Sequence, residues 1–207
     1  MLIANNLSFK RGSKTIFYNL DLVLSSNKII QIKGRNGIGK TTLVKILSNI
    51  LTPSTGDIYW NGKNIKKEPY LFFKNLTYIM DTNTSKKDLT VYENILFWKK
   101  IFFSSIIDKT IESLLNILQI NMHKNIMVKH LSYGDTRKLE ICRLVIEQKK
   151  LWIMDEPYSG LDESMISILN ETLNNHTKNG GMIIFSSHFN PQIMNIEDLI
   201  LENYVYS

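Results

Sequence analysis

Gly34-Arg35-Asn36-Gly37-Ile38-Gly39-Lys40-Thr41 is the stretch that decides how the rest of this chain is read. The residues just before it, Ile29 to Lys33, crowd β-branched side chains together and predict a strand. After it, Leu43, Ile46, Leu47 and Ile50 recur with the spacing of a one-sided helix, predicted to run from Lys40 to Leu51 before Pro53 and Gly56 stop it. The stretch fits G-x-x-x-x-G-K-[ST] in the context that pattern needs, after a strand and opening a helix. Its glycines let the backbone close around an anion so that N–H groups and the helix N-terminus face phosphate oxygens. Lys40 then reaches the β- and γ-phosphates of a nucleotide, and the Thr41 hydroxyl suits Mg²⁺.

A second stretch answers the first. Leu151-Trp152-Ile153-Met154 is an apolar strand that runs into Asp155 and Glu156, with Pro157 marking the turn that follows. A carboxylate at the end of a strand in the same sheet as a phosphate loop is placed to hold Mg²⁺, directly or through water, which is the role expected of Asp155. Glu156, one residue further, can be aimed at the γ-phosphate and polarise an attacking water.

Outward from these two stretches, β-rich segments alternate with helical ones, which predicts an α/β fold. Strand character returns at Met182 to Phe185 after the turn pair Gly180-Gly181, and this strand is expected in the same sheet as the others. From about Leu89 to Glu147 strand signals vanish, and Leu114, Leu115, Ile117 and Leu118 form the apolar part of one helix. The expected organisation is one ATP-binding domain over residues 1–207, with 1–83 and 149–207 forming the core and 84–148 a helical subdomain inserted in it. Its core sheet is mixed or parallel.

Composition narrows the class. Hydrophobic residues at 43% and charged residues at 21% describe a folded globular chain. No apolar run approaches the roughly 18 to 20 residues that span a bilayer, and the N-terminus lacks a signal-peptide pattern, so a cytosolic chain is expected. A single cysteine, Cys142, excludes an internal disulfide framework and reads as a small core side chain. The net charge of +6 suits nucleic acid or an anionic membrane surface, but the basic residues come as scattered pairs such as Lys66-Lys67 and Lys149-Lys150, and no nucleic acid is expected.

Leu131-Ser132-Tyr133-Gly134-Asp135, upstream of the Asp155-Glu156 pair, resembles the LSGGQ signature that sets ABC ATPases apart from other P-loop NTPases. Ser159-Gly160-Leu161-Asp162 resembles the D-loop of that family, and His188 its switch histidine. Five motifs in family order cover nearly the whole chain. The resemblance implies that ATP and Mg²⁺ are bound, that Gly34 to Thr42 cradle the nucleotide, and that two copies form a homodimer around two ATP molecules. Ser132 and Gly134 of one copy then close the γ-phosphate held by the other, Glu156 and His188 are catalytic, and Asp162 couples the two sites. His123, His130 and His176 are expected at the surface.

The departures from the family pattern carry expectations too. Tyr133 adds bulk where a glycine is usual, and Asp135 brings a negative charge toward phosphates, so its side chain is expected to turn away. Asp81 stands where most members have the Q-loop glutamine and remains a candidate for Mg²⁺ or its water. The usual adenine-stacking aromatic is missing at Lys10-Arg11-Gly12; Arg11 can stack its guanidinium on the base, with Phe9 and Phe17 as apolar alternatives. These substitutions predict intact Mg²⁺-ATP binding and slow turnover by the free subunit.

Among ABC ATPases the chain is most similar to the ATP-binding subunits of cytochrome c maturation, the haem exporter ATPases. The similarity rests on Leu89 to Asn94, on Leu151 to Pro157, on Asn179 to Ile184 and on the Arg11-Gly12 pair. It implies an integral membrane permease as partner, a peripheral place on the cytoplasmic side of the inner membrane, and haem handled only indirectly. Phe97, Trp98, Phe102 and Phe103 are read either as a permease-docking patch or as core. An exporter of another cargo, a soluble ABC ATPase acting on nucleic acid or the ribosome, and a nucleotide-gated switch without hydrolysis are the competing functions.

Overall fold

A computed structural model describes residues 1–205 of the chain. The strands and helices follow in order as β1 (Leu2–Arg11), β2 (Lys14–Leu24), β3 (Ile29–Lys33), α1 (Lys40–Leu47), β4 (Thr55–Trp60), β5 (Lys63–Asn64), α2 (Pro69–Phe73), β6 (Leu76–Ile79), α3 (Val91–Ile101), α4 (Asp108–Ile117), α5 (Tyr133–Ile146), β7 (Leu151–Asp155), α6 (Glu163–Lys178), β8 (Met182–Ser186) and β9 (Ile196–Ile200). They build two sheets. One has five strands in the order β6-β7-β8-β3-β9, every neighbouring pair parallel. The other has four antiparallel strands in the order β2-β1-β4-β5.

The central parallel strands are apolar on both faces because both faces are covered. Along β7, Leu151 and Ile153 join the core shared with α1 and the antiparallel sheet, while Trp152 and Met154 join the core shared with the helices. Along β8 the same alternation sends Met182 and Ile184 one way and Ile183 and Phe185 the other. In register, Asp155 lies beside Ser186, and Ser186 beside Ile32. Three chain segments therefore leave the sheet at one edge, where parallel α/β sheets place their ligands.

Helices α3, α4 and α5 pack through Val91, Ile95, Ile111, Leu115, Leu139 and Cys142 against one another and the β7–β8 face. The α3 start is a full capping box, Thr90 accepting from the Glu93 amide and Glu93 from the Thr90 amide. Cys142 is buried, and burial pushes its thiol pKa up. Of the aromatic cluster, Trp98 is core, with Arg143 over its ring, whereas Phe103 is 94% exposed.

Local readings fail at three places. Helix α1 ends at Leu47 rather than Leu51: Ser48 turns its hydroxyl onto the Val44 carbonyl (2.8 Å), Asn49 adopts a left-handed φ of 58°, and Ile50, expected inside, is 54% exposed. Ile117 likewise faces solvent while Leu114, Leu115 and Leu118 are buried. His176 is not a free surface residue. Its ring stacks on Trp152 with centroids 3.5 Å apart, its Nε2–H donates to the Lys150 carbonyl (3.1 Å), and burial lowers its pKa to about 4.

Candidate functional site

The loop from Gly34 to Gly39 connects β3 to α1, and the backbone at Gly39 (φ 122°) is what turns the chain into the helix. A Cβ on Gly39 would lie 2.5 Å from the Ile16 Cγ2 atom, so the position requires glycine for space as well as conformation. The helix that follows has no side-chain N-cap and no acid in its first turn. Lys40 folds back over the loop and donates to the carbonyls of Gly34 (2.9 Å) and Arg35 (3.4 Å). Ile38 points the other way, into the core.

Around this loop is a cavity of about 590 Å³, lined by Asn36, Gly37, Gly39, Lys40, Thr41 and Thr42, together with Arg11, Glu156 and His188. Lys45, Leu51 and Ser159 complete the wall. Arg11 reaches Thr42 Oγ1 (3.5 Å). Phe17 is fully buried and Phe9 stacks on it at 6.4 Å, so of the residues considered for the adenine base only Arg11 lines the cavity.

Lys40 Nζ donates to His188 Nε2 (2.8 Å), and His188 Nε2 lies 3.7 Å from Glu156 Oε1. An ammonium only donates, so His188 accepts at Nε2 in this arrangement. Beneath them Asp155 is 0% exposed. One of its oxygens takes a short hydrogen bond from the Ser186 hydroxyl, and the other, Oδ2, is buried without a hydrogen-bond partner. A buried carboxylate oxygen with no donor is the position a cation satisfies. Among the described residues no group of three His, Cys, Asp or Glu side chains could hold a metal. The unpartnered Asp155 oxygen fits Mg²⁺, which takes one or two protein oxygens and completes its shell with water and phosphates.

The signature segment forms the N-terminus of α5. Ser132 is its cap, accepting from the Asp135 amide (3.0 Å). Asp135 does not turn away: its Oδ2 accepts from the Ser132 hydroxyl at 2.6 Å, with His123 Nε2 at 3.9 Å and Lys138 Nζ at 4.0 Å from the same carboxylate. Gly134 lies close against the D-loop, where an added Cβ would be 3.2 Å from the Gly160 carbonyl. Tyr133 covers Gly160 so tightly that a Cβ there would be 2.5 Å from its ring. Asp162 caps α6 through the Met165 amide (2.9 Å) and lies 3.9 Å from Lys138.

Asn36, Gly37, Gly39, Lys40, Thr41 and Thr42 thus share one cavity with Arg11, Glu156 and His188, whereas Gly34, Arg35 and Ile38 do not line it; Asp155 ends β7 immediately before Glu156. Ser132, Gly134 and Asp162 form a second cluster outside its lining. Asp81 belongs to neither; it is exposed and its Oδ1 accepts from the Thr82 amide (2.9 Å). Four residues escaped the sequence reading. Ser186 orients Asp155, and Glu202 accepts from the Arg35 amide (2.7 Å), a bond that lowers its pKa. Arg137 and Glu140 are charged yet buried in α5, where a polar residue inside an otherwise apolar helix face was the available signal.

The pattern of the ABC transporter family matches residues 17–159. The cytochrome c biogenesis ATP-binding export protein CcmA of Dechloromonas aromatica is 34% identical over 188 residues, covering 91% of this chain and 92% of its own. CcmA of Pasteurella multocida is 30% identical over 206 residues, covering 100% and 97%. An ABC transporter ATP-binding protein from Pyrococcus furiosus superposes with a TM-score of 0.86 over 99% of both chains at 20% identity, which is a likeness of fold. With a phosphate loop, an acidic strand end and a signature helix in one such fold, the chain belongs to the ABC transporter family and is an ATP-binding, ATP-hydrolysing subunit.

Proposed function

We propose that the chain energises a cytochrome c maturation exporter as a homodimer bound to an integral membrane permease on the cytoplasmic side of the inner membrane. The observation that carries this reading is near-full-length similarity to proteins named for cytochrome c biogenesis export. Residues 84–148 form the arm that meets the permease, and haem is handled by the permease and its chaperone rather than by this subunit. No helix among the described residues is long and apolar enough to cross a membrane.

In the hydrolytic step Lys40 exchanges the Gly34 and Arg35 carbonyls for β- and γ-phosphate oxygens, and the loop amides receive the rest of the triphosphate. Thr41 and Asp155 would hold Mg²⁺, which would supply charge neutralisation on the phosphate oxygens. Glu156 accepts the proton of the attacking water as the new O–P bond forms and the bond to ADP breaks. His188, released from Lys40, contacts the γ-phosphate. Ser132 and Gly134 of the second copy close the far side, and Arg11 stacks on adenine.

Exchange of Glu156 for Gln tests the reading in two places. The purified variant is expected to stop hydrolysing and to accumulate as an ATP-bound dimer, seen by size-exclusion chromatography with light scattering. In cells carrying it as the sole copy, haem staining should show c-type cytochromes lost. Normal cytochromes with a dead ATPase would overturn the cargo assignment and leave an exporter of another substrate.

A further inference from the structure

Arg137 lies one turn into α5 and is 0% exposed. Its Nη1 donates to the Met80 carbonyl (2.6 Å), and its Nη2 donates to the carbonyls of Asp155 (2.9 Å) and Glu156 (2.8 Å). These partners are backbone oxygens, not carboxylates, and Nε is buried with no partner. Burial pulls the guanidinium pKa down, opposed by Tyr133, Glu140, Asp155 and Asp81 nearby. Packing alone does not explain a cation here, since apolar side chains fill buried space at lower cost. What a guanidinium offers and a hydrocarbon does not is a rigid fork of donors at fixed angles.

The fork grips a backbone position where geometry matters to the reaction. Glu156 has a φ of 45°, in the left-handed region that a residue with a Cβ adopts only when its surroundings impose it. Its amide is held by Ser186, donating to the carbonyl (3.1 Å) and the hydroxyl (3.2 Å), and its carbonyl is held by Arg137. Backbone dihedrals at residue 156 set the direction in which its carboxylate leaves the sheet edge. One helical turn further along α5, buried Glu140 accepts from the amides of Thr84 (2.6 Å) and Ser85 (2.5 Å). The loop from Met80 to Ser85, which contains Asp81, is therefore fastened to the same helix that fastens Glu156.

We propose that Arg137 is a positioning residue for hydrolysis: it fixes the backbone of Glu156 and ties it to the Met80–Ser85 loop, so that movement of that loop shifts the carboxylate aimed at the attacking water. The inference rests on Glu156 being the general base. Removing the fork mislocates a group that must sit within hydrogen-bond reach of water, and Arg137→Met is expected to lower kcat about 10- to 100-fold. The ATP dissociation constant and KM should stay within about two-fold, because the phosphate loop is untouched. Arg137→Lys, which keeps the charge but presents no fork, should fall between. Leu144→Ala, a buried change on the same helix, serves as the control for lost stability.

The measurements are steady-state kinetics, binding of a fluorescent ATP analogue and thermal melting on the full chain, at protein concentrations where the unmodified chain turns over. Normal kcat in Arg137→Met, or an equal kcat loss in Leu144→Ala at matched melting temperature, would overturn the proposal. If Arg137→Met does not fold, Arg137→Lys decides alone: unchanged kcat refutes the fork. Wild-type turnover by Glu156→Gln would instead sink the general-base reading, so the two failures are told apart.

Discussion

Two helices in this molecule begin beside the nucleotide chemistry, and their N-termini are treated in opposite ways. Helix α1 starts at Gly39 with no side-chain cap and no acid in its first turn, so its orphan amides face the cavity. Helix α5 starts at Ser132, whose hydroxyl is engaged by the protein's own Asp135 (2.6 Å), and whose oxygen already accepts the Asp135 amide. The first end is preorganised for a phosphate by backbone and ammonium within one chain. The second is self-satisfied, and a ligand from outside must displace a carboxylate to use it. Under the proposed homodimer, the difference marks where a single copy would be complete and where it would wait: nucleotide capture within each chain, and closure over the γ-phosphate with a second one.

Gly39→Ala attacks the open end and carries the largest expected effect. The added Cβ meets Ile16 at 2.5 Å in a backbone that L-residues avoid, so the turn into α1 must shift and its amides lose aim. ATP affinity is expected to fall about 100-fold or more, since several charge-assisted bonds go together. Titration with a fluorescent ATP analogue checks it. Affinity within three-fold of the unmodified chain would mean that α1 is not the phosphate site, and the contrast would collapse.

Gly160→Ala attacks the other end without touching the first. Its φ of 76° and the Tyr133 ring at 2.5 Å both resist a methyl group, so the signature turn and the D-loop are pushed apart. Stability should fall by about 1–2 kcal/mol from backbone strain. Turnover should fall about ten-fold while ATP binding by the single chain is kept, because misplacing one wall of the closed site affects only the closed state. Adding Tyr133→Ala removes the clash but leaves the strained φ, so the double variant should regain turnover and not stability. A double-mutant cycle in kcat and in melting temperature separates the two costs.

How much of this contrast was legible in the sequence follows from how local each feature is. The open end is written in eight consecutive residues, and the acidic strand end in six, because β3, β7 and β8 carry their own hydrophobic runs into the edge. The self-capped end was only half legible. A phosphate-closing role for Ser132 followed from the family resemblance, but whether Asp135 turned toward it or away depended on His123 and Lys138, which a charge count does not place. Arg137 and Glu140 were hidden for a related reason: their partners include backbone groups 57 and 56 residues away, and backbone groups leave no mark in a sequence. The antiparallel sheet was missed as a separate layer because register shifts between β1 and β2 break the simple alternation of their buried and exposed residues. At Asn49 a single residue with a left-handed backbone overrode the helical periodicity that pointed on to Leu51.

The smallest change sharpens the comparison most. Asp135→Asn keeps the size of the side chain, keeps an acceptor for the Ser132 hydroxyl and leaves the Asp135 amide bond to Ser132 in place, so the helix start should survive. What it removes is one negative charge from the surface that must approach a γ-phosphate, a charge that Lys138 and His123 at 4.0 and 3.9 Å offset only in part. A unit charge about 4 Å from a phosphate across water is worth about 1 kcal/mol, or roughly five-fold in ATP-driven dimerisation. The gain should be read in the Glu156→Gln background, where the ATP-bound dimer persists, by light scattering at graded protein concentrations. Because the effect is Coulombic between groups still partly in water, it should shrink at about 1 M salt, where the screening length is near 3 Å. A gain that ignores salt would point to a weakened hold on the Ser132 hydroxyl instead of the lost charge, and no gain at low salt would mean that the carboxylate swings clear before the second copy arrives.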